Sequence, residues 1–140
     1  MPLTQGIQQS LIDHIFGGGN YTRPATLYLG LSTTTISATG TNITEPSGNG
    51  YARVSITNNT TNFPVSTTVG GKAVKTNGVT LQFPEATGAW GTVTNWFLST
   101  ASSGGTIVAY GVLGTSRAII ATDIPIVQAN QLVIRLAPTS

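Results

Sequence analysis

Cysteine is absent from this chain, histidine occurs once, and charge is scarce. Without cysteine neither a disulfide framework nor a thiolate metal site can exist, which removes zinc fingers, iron–sulfur centres and thiol chemistry together. Asp, Glu, Lys and Arg make up 7% of the 140 residues, against about 25% in ordinary soluble domains. Six basic residues oppose four acids, for a net charge of +2. Arg23, Arg53, Lys72, Lys75, Arg117 and Arg135 gather nowhere beyond the pair at 72 and 75. A phosphate backbone demands a concentrated basic patch, so nucleic acid is not an expected partner. No run reaches the ~20 apolar residues of a membrane span, and the first residues carry neither the charged region nor the apolar run of a signal peptide. No membrane partner is expected, and folding is expected in a cytoplasm. Sequons begin at Asn20, Asn42, Asn58 and Asn59, but a chain this rich in Asn and Thr produces them by chance, and without a secretion signal they carry no weight.

Thr, Ser, Asn and Gly fill the water-facing positions that charge leaves open, in runs such as Ser32 to Thr35, Thr57 to Asn62 and Thr100 to Gly105. Such a surface is neutral and hydrogen-bonding. It suits a protein packed against copies or partners rather than one held free at high concentration. A chain of this length makes one domain, expected to span residues 1–140, and a domain of that size buries roughly two thirds of its unfolded surface.

The spacing of Ile7, Leu11, Ile12, Ile15 and Phe16 puts one apolar stripe on a helix over residues 4–16, with Thr4 as N-cap and Gly17 to Gly19 as its stop. So short an amphipathic helix must dock, either over an open end of a sheet or on a neighbouring chain. Beyond it the period becomes two. Strands are predicted at residues 25–31, 51–57, 79–83, 91–99, 106–113, 117–122 and 131–136. Seven or eight strands predict an all-β fold, an antiparallel β-sandwich or jelly roll over residues 24–137 with one short N-terminal helix. Alternation in residues 51–56 and 132–136 places Arg53 and Arg135 on exposed or interfacial faces. Long connections are expected at residues 37–49 and 58–71, serving as interface loops or as mobile surface.

Catalysis needs titratable groups held together, and the four carboxylates are dispersed at Asp13, Glu45, Glu85 and Asp123. Ser10, Asp13 and His14 are close in sequence, yet Asp13 and His14 are adjacent and point to different helix faces. A glycosidase would require Glu85 and Asp123 to converge in a cleft; Asp123 is better explained as the acceptor of a turn in Thr122 to Pro125. No set of His, Asp or Glu stands at metal-ligand spacing. The glycines at 17–19 follow a helix instead of opening one, so they form no phosphate-binding fingerprint. The expectation is therefore no catalytic, cofactor-binding or metal site, and no enzyme. Trp90, Trp96, Tyr28, Tyr51 and Tyr110 can build either a core or a sugar-stacking platform.

Taken in order, several segments resemble a family of small virion proteins of tailed phages, described as head-decoration, head-fibre or tail-fibre proteins. They are Ile15-Phe-Gly-Gly18, Pro24 to Thr33, Glu45 to Val54, Phe83 to Thr94, Gly111-Val-Leu113, Asp123-Ile-Pro125 and Leu132 to Leu136. The chain departs from that pattern at Trp96, where a smaller residue is expected. The resemblance implies a non-enzymatic part of the virion, assembled in the host cytoplasm. The leading expectation is a capsid cement protein: a trimer that sits on the assembled head, bridges major capsid subunits and stabilises the shell by binding it in preference to its dissociated parts. A chain one domain long, with no shaft or coiled coil, favours decoration. The alternative is a tail or tail-fibre component with exposed aromatics that stack on a host glycan. A homo-oligomer is expected because closed symmetry is the usual outcome for structural proteins.

Overall fold

Alternating side chains set the two longest regular strands, and their register shows what each face does. A computed structural model describes residues 1–136, so the last residue of the expected 24–137 sandwich lies outside the described residues. Helix α1 spans Gln5–Ile15. It is followed by β1 (Thr26–Ser32), β2 (Val54–Thr57), β3 (Thr67–Val69), β4 (Lys72–Thr76), β5 (Leu81–Gln82), β6 (Gly91–Ser99), β7 (Ile107–Ile119), β8 (Ile126–Val127) and β9 (Val133–Arg135). The fold is all-β with one short helix among the described residues. Its strands form sheets ordered β2-β1-β6-β7, β3-β4-β9 and β5-β8, with every strand pair antiparallel.

Residues opposite one another in an antiparallel pair share a face. Leu29 faces both Val54 and Leu98, and Leu27 faces Ile56. These residues belong to one apolar core with Leu81 and Phe83 at β5, Val127 at β8 and Leu132 before β9. Residues Leu29 to Ser32 are all buried, so the second face of β1 is covered too. Residues 33–44 do the covering: they fold back so that the Thr44 amide donates to Ser32 Oγ (3.1 Å) and the Thr33 amide to the Thr44 carbonyl (2.9 Å). On this second face the Phe97 ring lies on Gly30, where an added Cβ would come within 2.3 Å of Phe97 Cζ.

An extended segment at residues 1–4 stitches two sheets together. On one side Thr4 and Pro2 bond Val108 and Tyr110; on the other, Leu3 and Met1 exchange amide and carbonyl with Arg135 at 3.0 and 2.9 Å. Arg135 is thus half-buried beside this seam.

Several expected elements are corrected in detail. The helix ends at Ile15, one residue early, and the Gly17 and Gly18 backbones then take the left-handed conformation (φ 95° and 96°) expected of the stop. Thr4 makes no side-chain cap; its hydroxyl donates instead to the Ile107 carbonyl at 2.7 Å. Strands expected at 106–113 and 117–122 are one strand, β7, carrying a bulge. β3 lies inside the stretch expected to be a loop at 58–71, and β4 and β8 were not expected. Residues 37–49 are irregular, as expected.

Candidate functional site

A groove opens where β7 leaves its partner. Val93 pairs with Arg117 and Asn95 with Val112, so Thr94 alone faces residues 113–116. The surplus chain bends away from the sheet, as a bulged strand must. Between this stretch and residues 123–131 lies a cavity of about 530 Å³, in the size range of small-molecule pockets. Buried Leu31, Phe83, Val93 and Val127 line it, with half-buried Trp96 and Leu113. Its charges are the exposed Arg117 and the half-buried Asp123. Asp123 Oδ2 accepts the Ile120 amide at 2.9 Å, which is the turn role its sequence suggests.

Glu45, Tyr51 and Arg53 form the tightest polar cluster. Arg53 forks onto both Glu45 oxygens, Nε to Oε2 at 2.8 Å and Nη2 to Oε1 at 2.9 Å. Its Nη1 donates to the carbonyls of Ala101 (2.7 Å) and Gly104 (2.9 Å), and its guanidinium lies 5.0 Å from the Phe97 ring centroid. The Tyr51 hydroxyl donates to Glu45 Oε2 at 2.5 Å and accepts the Leu31 amide at 3.1 Å. Burial, reinforced by the Glu45 hydrogen bond, pushes the Tyr51 phenol far above its ordinary range, and the same carboxylate holds Arg53 charged. The Arg53 side chain is 5% exposed, which corrects the expectation of an exposed or interfacial face. Strand alternation was read rightly, but the face it pointed to is roofed by residues 33–45 and 101–104. The cluster is a latch: it ties both loops to the sheet and engages four of the five guanidinium N–H donors within the chain.

The residues tested for chemistry do not assemble a catalytic arrangement. Ser10 Oγ donates to the Gly6 carbonyl at 3.0 Å, and His14 Nδ1 accepts the Tyr21 amide at 3.1 Å, so the two do not engage each other. The segments of Glu85 and Asp123 do become neighbours, through the Ala86 amide on the Asp123 carbonyl at 2.8 Å, but Glu85 points to exposed surface while Asp123 caps its turn. Among the described residues no group of three His, Asp or Glu could hold a metal ion.

Trp90, Tyr51 and Trp96 pack in or against the core. Trp90 is buried, its indole donates to the Asn49 carbonyl at 2.8 Å, and it meets the Tyr51 ring edge-on at 5.1 Å and Phe83 at 6.4 Å. Tyr28, Tyr110 and Trp96 are half-buried, so the five side chains make no exposed stacking platform. Trp96, the departure from the family pattern, packs against the core and forms part of the groove wall.

Apolar side chains are also exposed at the end of the helix. Of the helix stripe only Ile7 is buried; Ile12, Ile15 and Phe16 are 59%, 69% and 70% exposed. The bulge and the helix tip were not found from sequence as a pair of surfaces, since hydrophobic spacing signals a helix face but not whether anything covers it. Compared with known proteins, the chain matches a family model described as Podophage GP4 fiber I protein gp80 over residues 2–135. No curated protein matches it.

Proposed function

The chain belongs to the Podophage GP4 fiber I protein gp80 family, a family of tailed-phage virion structural proteins, and from that premise we propose that it is a repeating, non-enzymatic building block of a fibre on the particle. The observation that carries this reading is the span of the match, residues 2–135, which takes in every described strand and the helix. The block works as an oligomer of identical copies, three in preference, joined through surfaces with little charge. Two features support self-association: 7% charged residues, and apolar side chains left on the helix tip.

Decoration of the head is a second reading, favoured by the absence of a shaft or coiled coil among the described residues. In that role the chain would bind major capsid subunits and stabilise the assembled shell. Quantitative mass spectrometry of purified particles separates the two. A few dozen copies or fewer per particle fit the fibre; a ratio near one to one with the major capsid protein overturns it in favour of cement.

A further inference from the structure

Two surfaces of this chain present apolar side chains that nothing within it covers: a helix tip and the floor of a groove. The first is the outer half of α1. The helix is held at its start, where the Gln5 amide bonds the Ala38 carbonyl (3.0 Å), Gln8 Nε2 bonds the Leu3 carbonyl (2.8 Å) and Ile7 is buried. Past that point Ile12, Ile15 and Phe16 share one face at i, i+3 and i+4 and stand in solvent. Asp13 flanks them, one turn before Phe16. The second surface is the groove beneath the β7 bulge, whose floor is apolar (Leu31, Phe83, Val93, Val127) and whose polar rim carries Arg117 and Asp123, the latter engaged by the Ile120 amide. Neither Asp13 nor Arg117 forms an ion pair among the described residues, where Glu45 with Arg53 is the one such pair.

The strand register sets these surfaces at opposite ends of the main sheet. Helix α1 is anchored beside Ile107 and Val108, at the end where Tyr28 faces Ser99. The groove begins past Val112, at the end where Ser32 faces Asn95. None of Ile12, Ile15 and Phe16 lines the groove of its own chain.

A ring of three copies cannot use a self-matching patch, because only a two-fold axis relates a surface to itself; it needs two different patches that fit each other. This chain carries such a pair: the apolar helix tip fits the apolar floor of the groove, and Asp13 can meet Arg117 on its polar rim, where Asp123 is already engaged by the Ile120 amide. Resting on the oligomeric reading above, we propose that the tip of α1 from one copy seats in the β7 groove of the next, with Ile12, Ile15 and Phe16 inserted and Asp13 set against Arg117. The occupant of the groove is therefore a second copy of this chain.

The absence of cysteine gives a clean test. Ile15→Cys and Thr115→Cys chains, both exposed positions, are purified separately, mixed and oxidised, and the products are resolved without reductant. The expected result is a cross-linked dimer in the mixture and none from either variant alone. In parallel, sedimentation compares association constants. Phe16→Ser weakens association about tenfold to a hundredfold, the value of one buried apolar side chain. Asp13→Arg or Arg117→Asp alone weakens it about two- to fivefold, and the double reversal restores it. If the unaltered protein is oligomeric but the mixed cysteine variants give no cross-link and the charge reversals leave association unchanged, this contact is overturned and the fibre reading stands. A protein that is a monomer at every concentration overturns both the contact and the oligomeric reading.

Discussion

Residues 33–53 are mostly polar and irregular yet tied down, whereas Ile12, Ile15 and Phe16 at the end of the helix are apolar yet exposed. The loop is held by hydroxyls and by one ion pair: Ser32 Oγ, Thr34 and Thr44 bond one another across it, and Glu45 receives both Arg53 and Tyr51. The helix tip has apolar side chains and, within the chain, nothing to bury them against. Hydropathy alone would have exchanged the two. The contrast teaches that order in a low-charge chain follows where hydrogen-bond partners sit, while apolar surface left uncovered marks where another molecule belongs.

Substitutions sharpen that contrast. Arg53→Ala strips Glu45 of its ion-pair partner, leaving it the Tyr51 hydroxyl, and takes a donor from the carbonyls of Ala101 and Gly104, so the urea midpoint should fall by an amount equal to about 3 kcal/mol. Such a loss places the latch among the strongest interactions of the fold; a change below about 0.5 kcal/mol would mean the loop is held by its hydroxyls instead. Next in size is Gly30→Ala, whose new methyl meets the Phe97 ring, for a cost of about 1–3 kcal/mol in the same assay. Tyr51→Phe removes the hydroxyl that donates to Glu45 and accepts the Leu31 amide, two hydrogen bonds lost for about 1–2 kcal/mol. It also changes the alkaline limb of stability. The folded protein holds the Tyr51 proton more tightly than the unfolded chain, so this contribution is complete below the ordinary phenol value near pH 10 and is lost as pH climbs above it. Unfolding profiles above pH 10 should therefore be steeper for the unaltered protein than for Tyr51→Phe. Smallest of all is Ile15→Ser on the helix tip, expected to move the stability of the separated chain by no more than about 0.5 kcal/mol while weakening self-association. A large loss of stability there would show that the tip packs within its own chain.

Local pattern made part of this architecture legible. Thr26–Ser32 and Gly91–Ser99 alternate over enough residues to be placed within one residue of their ends, and the glycines at 17 and 18 stop the helix as read. Strand β3 was invisible because Thr67, Thr68 and Val69 are all exposed and carry no alternation. Gly114-Thr-Ser116 has the composition of a turn, which hid the continuity of β7. The groove depended on that bulge and on residues 123–131 crossing it, a long-range arrangement no local window contains. Arg53 was misplaced because alternation reports which face a side chain takes, not what later covers that face. The pairing itself had a signal: two of only ten charged residues flank one Gly-rich turn, at 45 and 53.

The seam made by residues 1–4 fixes an order of events. Thr4 bonds Ile107, 103 positions away, and Leu3 bonds Arg135. Residues 1–4 can therefore join the two sheets only once the chain around 107 and 135 is in place. The seam is a contact of high sequence separation, so its closure belongs to the late part of folding, on the millisecond-to-second scale typical of β topologies dominated by distant contacts.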